Sequence, residues 1–342
     1  MAAYKELKGI TIQSLSEAPS NLDSQPIWYD TTAAQFKYLG NDILGTWSTG
    51  GNLGTARRQL AGAGTQTAGL GFGGMDYNYN STNSTEEYDG SAWTAGGNLG
   101  DTKTRSAGAG TQTAGLSFGG SSSNLFIDNA TEEYDGSAWT AGGNLNTSRN
   151  SLSGCGIQTA GLAFGGTPDG APASNATEEY DGTSWTVGGN LGTPRIYLAG
   201  CGTQTSGLAF GGVNDSANPV FIGTTEEYDG ASWTAGGNLA TAKDNLAGAG
   251  TQTAGLGFGG RGDAVNQNEM FNLKSATELY DGSVWTAGGN LNNARQEFAG
   301  AGTQTAGLGF GGYAGGGGSY LPLTSTEEFR GPGLFNATFT VS

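Results

Sequence analysis

The sequence predicts an all-β chain in which six four-stranded blades close into a β-propeller, preceded by a short β-rich arm. Three observations carry this. The phrase LAGAGTQTAGLGFGG at residues 60–74 returns almost unchanged at 106–120, 152–166, 198–212, 246–260 and 298–312. Trp47, Trp93, Trp139, Trp185, Trp233 and Trp285 stand 46, 46, 46, 48 and 52 residues apart, a period that suits one four-stranded blade per repeat. The chain has 65 glycines in 342 residues, with 7 Trp, 13 Tyr and 14 Phe. The glycines keep no three-residue period, which excludes collagen, and the aromatics supply too much core material for a disordered chain.

The elements follow in order. Residues 1–42 lie outside the repeat: ITIQSL (10–15) reads as a strand, SEAPSNLDSQP (16–26) as an extended linker, and IWYDTTAAQFKYL (27–39) as a hairpin turning at Asp30-Thr31-Thr32. Within one repeat, QLAGAG is the first strand. It is small-sided, as expected where six sheets crowd around one axis, and it ends at the turn TQTAG. GLGFGG is the second. Period-two alternation puts Leu70 and Phe72 on one face and Gly69, Gly71 and Gly73 on the other, so the bulky face of one blade can sit against the glycine face of the next. STEEY is the third strand, and Asp89-Gly90 makes a tight hairpin into the fourth, AWTAG.

Trp47 comes before any Glu-x-Tyr word, while TEEF (326–329) has no tryptophan after it. The strands therefore pair only if the N-terminal tryptophan strand completes the C-terminal blade, an arrangement that leaves no edge to unzip. The expected division is an arm at 1–42, a propeller at 43–331 and a C-terminal strand at 332–342, where GLFNATFTVS alternates and is available to the arm or to another subunit.

The order basic residue, small strand, Gly-Gly, Glu-x-Tyr-Asp, Trp resembles the kelch repeat. It is met in full at Arg149, Gly165-Gly166, Glu178-Glu179-Tyr180-Asp181 and Trp185, and similarly across 43–331, with departures at Leu279 in TELYD and Arg330 in TEEFRG. The resemblance implies a propeller of kelch type. A second likeness covers the arm: Ile27-Trp28-Tyr29-Asp30-Thr31-Thr32 followed by Phe36-Lys37-Tyr38 resembles the N-terminal segment of structural proteins of marine and cyanobacterial tailed phages. It implies a virion component whose arm docks onto other virion proteins or trimerises the chain.

Composition narrows the chemistry. The formal net charge is −16, which argues against nucleic acid or an anionic membrane as the main partner. No stretch is apolar enough to span a bilayer, and the start lacks the apolar run of a signal peptide, so synthesis in a host cytoplasm is expected. There is no histidine, which removes the usual general base and the commonest transition-metal ligand, and with them the copper-oxidase branch of kelch proteins. Cys155 and Cys201 occupy one repeat position that is alanine in the other copies and read as small core fillers. The glutamates Glu86, Glu132, Glu178, Glu226, Glu278 and Glu327 recur as scaffold parts do, so no catalytic residue, metal or cofactor is assigned. A basic residue also recurs once per blade: Arg57, Lys103, Arg149, Arg195, Lys243 and Arg295. As a ring at the channel mouth these could hold an anion; as pins, each would meet a repeated carboxylate, the preferred reading.

The segments between Gly-Gly and Glu-x-Tyr run from ten to sixteen residues and share no pattern. On a rigid ring they would emerge on one face as a recognition surface. The candidate ligand-binding residues there are Tyr77, Tyr79, Phe126, Asp128, Asp169, Asn214, Asp215, Phe221, Arg261, Asp263, Asn266, Met270, Phe271 and Tyr320. The expected function is a non-enzymatic tail-fibre-like propeller that recognises a host surface glycan or outer-membrane protein. A capsid or tail decoration protein is the second reading, and a glycan-processing enzyme the third.

Overall fold

The structure, a computed structural model, describes residues 13–15, 27–30, 35–42, 44–122, 126–214, 220–262, 272–316 and 319–338. Among these every regular element is a strand. The chain divides into two compact units, Thr46–Gly331 and the combination of Met1–Gly45 with Pro332–Ser342.

The larger unit is a six-bladed β-propeller. Its first blade is a four-stranded antiparallel meander of Ala61–Thr65, Ala68–Phe72, Thr85–Tyr88 and Trp93–Ala95. The next four blades repeat this order. The inner strands Ala61–Thr65, Ala107–Thr111, Ser153–Ile157, Ala199–Thr203, Ala247–Thr251 and Ala299–Thr303 each pack on the next, and the last packs on the first. The sixth blade draws on both ends of the repeat region: Ala299–Thr303, Ala306–Phe310 and Thr326–Arg330 are joined by Thr46–Thr49, with Phe329 opposite Trp47.

Glycine makes the close stacking of blades feasible. A Cβ on Gly115 would lie 2.6 Å from Leu70 of the first blade, and one on Gly71 would lie 2.8 Å from Phe310 of the sixth. The apolar face of each second strand therefore fills the glycine face of its neighbour. The second-strand phenylalanine also meets the tryptophan of the following blade. Ring centroids are 4.9 Å apart for Phe72 and Trp139, 4.7 Å for Phe310 and Trp93, and 4.8 Å for Phe258 and Trp47. Such pairs contribute about 0.5–1.5 kcal/mol beyond their buried area.

Polar groups at the seams are satisfied by the neighbouring blade. Each of the six blade tryptophans donates its Nε1 hydrogen to a threonine of the preceding blade, as in Trp139 to Thr85 at 2.9 Å and Trp47 to Thr277 at 2.9 Å. Each TQTAG glutamine donates to two backbone carbonyls of the preceding blade: Gln112 reaches Gly69 and Tyr88, and Gln66 reaches Gly307 and Phe329. Tyr88, Tyr134, Tyr180, Tyr228 and Tyr280 donate their hydroxyls to Glu328, Glu87, Glu133, Glu179 and Glu227. Cys155 and Cys201 are buried in inner strands, and desolvation pushes both thiols up, Cys201 to about 12.

The Asp-Gly turns depend on the aspartate. Asp89 accepts from the backbone N–H groups of Ser91 and Ala92 at 2.8 Å each, and these bonds hold its carboxyl below the usual range. Arg330 stands at this place in the sixth blade, where the outer strand arrives from the N-terminus and no hairpin is needed.

The smaller unit contains one four-stranded sheet. Gln13–Leu15 runs parallel to Ile27–Asp30, which pairs antiparallel with Gln35–Asp42, and Gly333–Thr338 completes the sheet with Lys37 opposite Thr338.

Candidate ligand-binding face

The variable segments and the stretches entering each inner strand share one end of every blade. The residue that follows each Gly-Gly pairs antiparallel with the residue that follows each recurring basic side chain. The pairs are Met75 with Arg58, Ser121 with Thr104, Thr167 with Asn150, Val213 with Ile196, Arg261 with Asp244 and Tyr313 with Gln296. Gly-Gly turns the chain into this bridge at positive φ, and a Cβ on Gly73 would lie 2.6 Å from the Lys103 carbonyl.

The recurring basic residues sit at the base of this construction, each at most 1% exposed. Arg57, Arg149, Arg195 and Arg295 meet Glu86, Glu178, Glu226 and Glu327 at 2.9, 2.9, 2.5 and 2.5 Å, and Lys243 meets Glu278 at 3.1 Å. Lys103 departs from the pattern and takes Asp128 at 2.5 Å. The arginines do more than pair. Nη1 of Arg57 donates to the carbonyls of Gly73 and Ser84, the two ends of the variable segment. Arg149 grips Gly165 and Ala176 in the same way, Arg195 grips Gly211 and Thr224, and Arg295 grips Gly311 and Ser325. Desolvation pulls these guanidinium pKa values down and the carboxylate opposes it; the groups stay charged. They close the loop base like a clip, so the segment above can change length without disturbing the blade. None of the six lines the cavity of about 100 Å³ where the central channel opens on this face.

The loop candidates divide. Tyr77, Tyr79 and Phe126 are 60%, 71% and 70% exposed, and Asp169 is exposed as well. Phe221 is half-buried under the Arg261 guanidinium, 5.4 Å from its ring centroid. Asn214 lies in the short strand Val213–Asn214, paired with Val220–Phe221. Two candidates face inward instead. Asp128 holds Lys103, and Arg261 forms a two-point pair with the fully buried Asp244 at 2.6 and 3.1 Å, so both anchor their loops. Of Tyr320, the backbone lies opposite Gly315. Asp215, Asp263, Asn266, Met270 and Phe271 fall outside the described residues.

No protein-family model matches the chain, and no curated protein matches it.

Sequence reasoning missed a feature at the centre of this face. Gln59, Arg105, Ser151, Tyr197, Asn245 and Glu297 stand two places after the basic residues, and each holds a left-handed backbone with φ between 51° and 56°. The N–H of each donates to the carbonyl of the one before it, and the N–H of Gln59 donates to the carbonyl of Glu297 to close a ring of six bonds of 2.7–3.2 Å. Together they rim a cavity of about 100 Å³ at the channel mouth. Leu60, Leu152, Leu198, Leu246 and Phe298 lie below the rim. Arg58 joins the rim to the loops: it pairs with Glu297 at 2.7 Å and lies over the Tyr79 and Tyr313 rings at 5.0 and 5.4 Å. The one signal in the sequence was a pair of adjacent positions, one and two places after the basic residue, whose residue types change in every copy within an otherwise recurring stretch.

Proposed function

We propose that this protein is a non-enzymatic recognition propeller of kelch type, carried on a tailed-phage particle by its N-terminal arm and directed at a host surface glycan or outer-membrane protein. The observation that carries the reading is the clip at the base of the variable segments. Four arginines hold both ends of segments that differ in length and composition, an arrangement suited to changing a binding surface on a constant scaffold. Exposed Tyr77, Tyr79 and Phe126 supply aromatic anchors of the kind that binding surfaces use. The arm's likeness to tailed-phage structural proteins supports attachment to a particle.

The test has two parts. Fluorescently labelled full-length protein should bind intact cyanobacterial host cells, and periodate or protease treatment of the cells should abolish binding, which also tells glycan from protein. Gold-labelled antibody against the propeller should mark the tail or a unique vertex of intact particles. Label spread over the capsid lattice, without cell binding, would favour the decoration reading instead.

A further inference from the structure

The six left-handed rim residues present an anomaly. Glycine adopts this backbone without penalty, whereas an L side chain there costs on the order of 1 kcal/mol or more. The chain uses glycine freely, with 65 in all, yet every blade carries a side chain at this position, and a different one each time. Strain repeated six times at one cavity points to what the side chains do there.

Their chemistry is mixed and nearly neutral. The rim offers two amides, a hydroxyl, a phenol, one guanidinium and one carboxylate, with leucines and a phenylalanine beneath. Several polar atoms have no partner within the protein. Gln59 is 7% exposed and its Oε1 accepts no hydrogen bond; the buried Nε of Arg105 donates none, and Ser106 Oγ has no partner. Buried polar groups left unpaired cost about 1–3 kcal/mol each; three of them border this cavity, and the amide, hydroxyl, phenol, guanidinium and carboxylate groups of the rim can together donate to and accept from a ligand. Arg105 also lies 5.7 Å from the Tyr197 ring centroid, which holds the phenol ring beside the opening. At about 100 Å³ the cavity is well below the roughly 300 Å³ of pockets for drug-sized ligands, so it seats one edge of a single ring, the rest of which stands in the open mouth.

We infer that the channel mouth is a binding subsite for a single neutral, hydroxyl-rich ring, the terminal monosaccharide of a surface glycan. Hydroxyls of such a ring both donate and accept, and its C–H face suits the apolar floor. Glu297 is already paired with Arg58 at 2.7 Å, so Arg105 is a hydrogen-bond donor for ring hydroxyls, and the net charge of −16 disfavours the approach of an anion. The inference rests on the reading of this face as a recognition surface, and it assigns the centre, rather than the loops, the contact with the sugar terminus.

The backbone itself supplies the control. Arg105→Gly removes a side chain where glycine is the unstrained residue and should unfold at the wild-type temperature or above it. Tyr197→Gly also loses the packing of its ring on Ala173, Ile196 and Val213 and should unfold a few degrees lower, still in one cooperative transition. Saturation-transfer NMR on the full chain would use glucose, galactose, mannose, N-acetylglucosamine, sialic acid and inorganic phosphate as probes. At least one neutral sugar should bind with Kd near the millimolar range, and each glycine variant should weaken it about tenfold or more, while Val187→Thr, on the exposed outer strand Trp185–Val187, leaves it unchanged. Three results overturn the inference: no neutral sugar binding at tens of millimolar, preferential binding of sialic acid or phosphate, or glycine variants that bind as wild type does. If wild type binds cells but no monosaccharide, the subsite is wrong and the recognition surface stands. If it binds neither, both readings fail.

Discussion

Leu279 of the fifth blade and Phe329 of the sixth share one buried apolar cluster, at the seam where the other five interfaces place a tyrosine hydroxyl on a glutamate carboxylate. Each is a departure from the repeat, and together they are complementary: loss of the hydroxyl at one position removes the need for the carboxylate at the other. The substitution lies in the blade that both chain ends build, so this seam is held by apolar contact and by Trp47, whose ring centroid is 4.8 Å from that of Phe258.

A double-mutant cycle tests this pairing. Leu279→Glu alone should destabilise the propeller by about 2–4 kcal/mol, because it buries a carboxylate without a donor. Phe329→Tyr alone should cost about 1–2 kcal/mol for an unpaired hydroxyl. The double variant recreates the bond of the other seams and should recover most of the loss, with a coupling of about 1–3 kcal/mol in urea unfolding. Strict additivity would show that the two positions are independent.

The five tyrosines make the fold sensitive to alkali. Desolvation first, then the glutamate each hydroxyl faces, pushes Tyr88, Tyr134, Tyr180, Tyr228 and Tyr280 up to about 12. Unfolded tyrosine ionises near 10, so the folded state holds more protons between these values. The contribution is complete below about pH 10 and is lost as pH rises toward 12. The urea midpoint should therefore fall across that window, and Tyr280→Phe should make the fall shallower. Cys155→Ala with Cys201→Ala separates the thiol contribution, which has the same sign and begins to be lost at a lower pH, near the ordinary thiol value.

Repetition made the scaffold legible. Six copies of Gly-Leu-x-Phe-Gly-Gly, with x Gly, Ser or Ala, show that Leu70 and Gly69 belong to opposite faces, and the structure places them against neighbouring blades as alternation requires. What repetition could not show is where a long side chain ends. Gln66 and its counterparts looked like turn residues but reach across to the preceding blade. Lys103 takes a carboxylate from its own loop, Asp128, whereas Lys243, the other lysine of the series, keeps the repeat glutamate Glu278. Variability was read as exposure, and at Asp128 and Arg261 it marks instead a private ion pair inside one loop. The rim of left-handed residues has no signature in composition, since positive φ in Gln59 or Tyr197 leaves no trace in the residue type.

Closure of the ring gives a stability prediction. Deleting residues 1–50 removes Thr46–Thr49 from the sixth blade, with the Trp47 ring and its hydrogen bond to Thr277. Loss of one buried tryptophan alone costs about 3–5 kcal/mol, so Tm should drop by roughly 10 °C or more. Deleting only 1–42 retains that strand and should leave the propeller transition in place. Calorimetry on both truncations decides it, since equal transitions would mean that Thr46–Thr49 contributes nothing to closure.

The fifth loop separates anchoring from recognition. Arg261 was a ligand candidate, but its guanidinium neutralises Asp244, which is 0% exposed. Arg261→Ala leaves a buried carboxylate without its cation and should destabilise the blade by about 3–5 kcal/mol. Replacing residues 263–271 by a Gly-Ser segment of equal length keeps that pair and the Lys243–Glu278 pair, so the scaffold should change by less than about 1 kcal/mol. Binding to host cells should nonetheless weaken at least tenfold, because Asp263, Asn266, Met270 and Phe271 are removed together. The comparison works because the two variants act in opposite ways: one should lower Tm with little direct effect on the face, the other should spare Tm and lose cells. Unchanged cell binding by the Gly-Ser variant would mean that this longest insert is not part of the recognition surface.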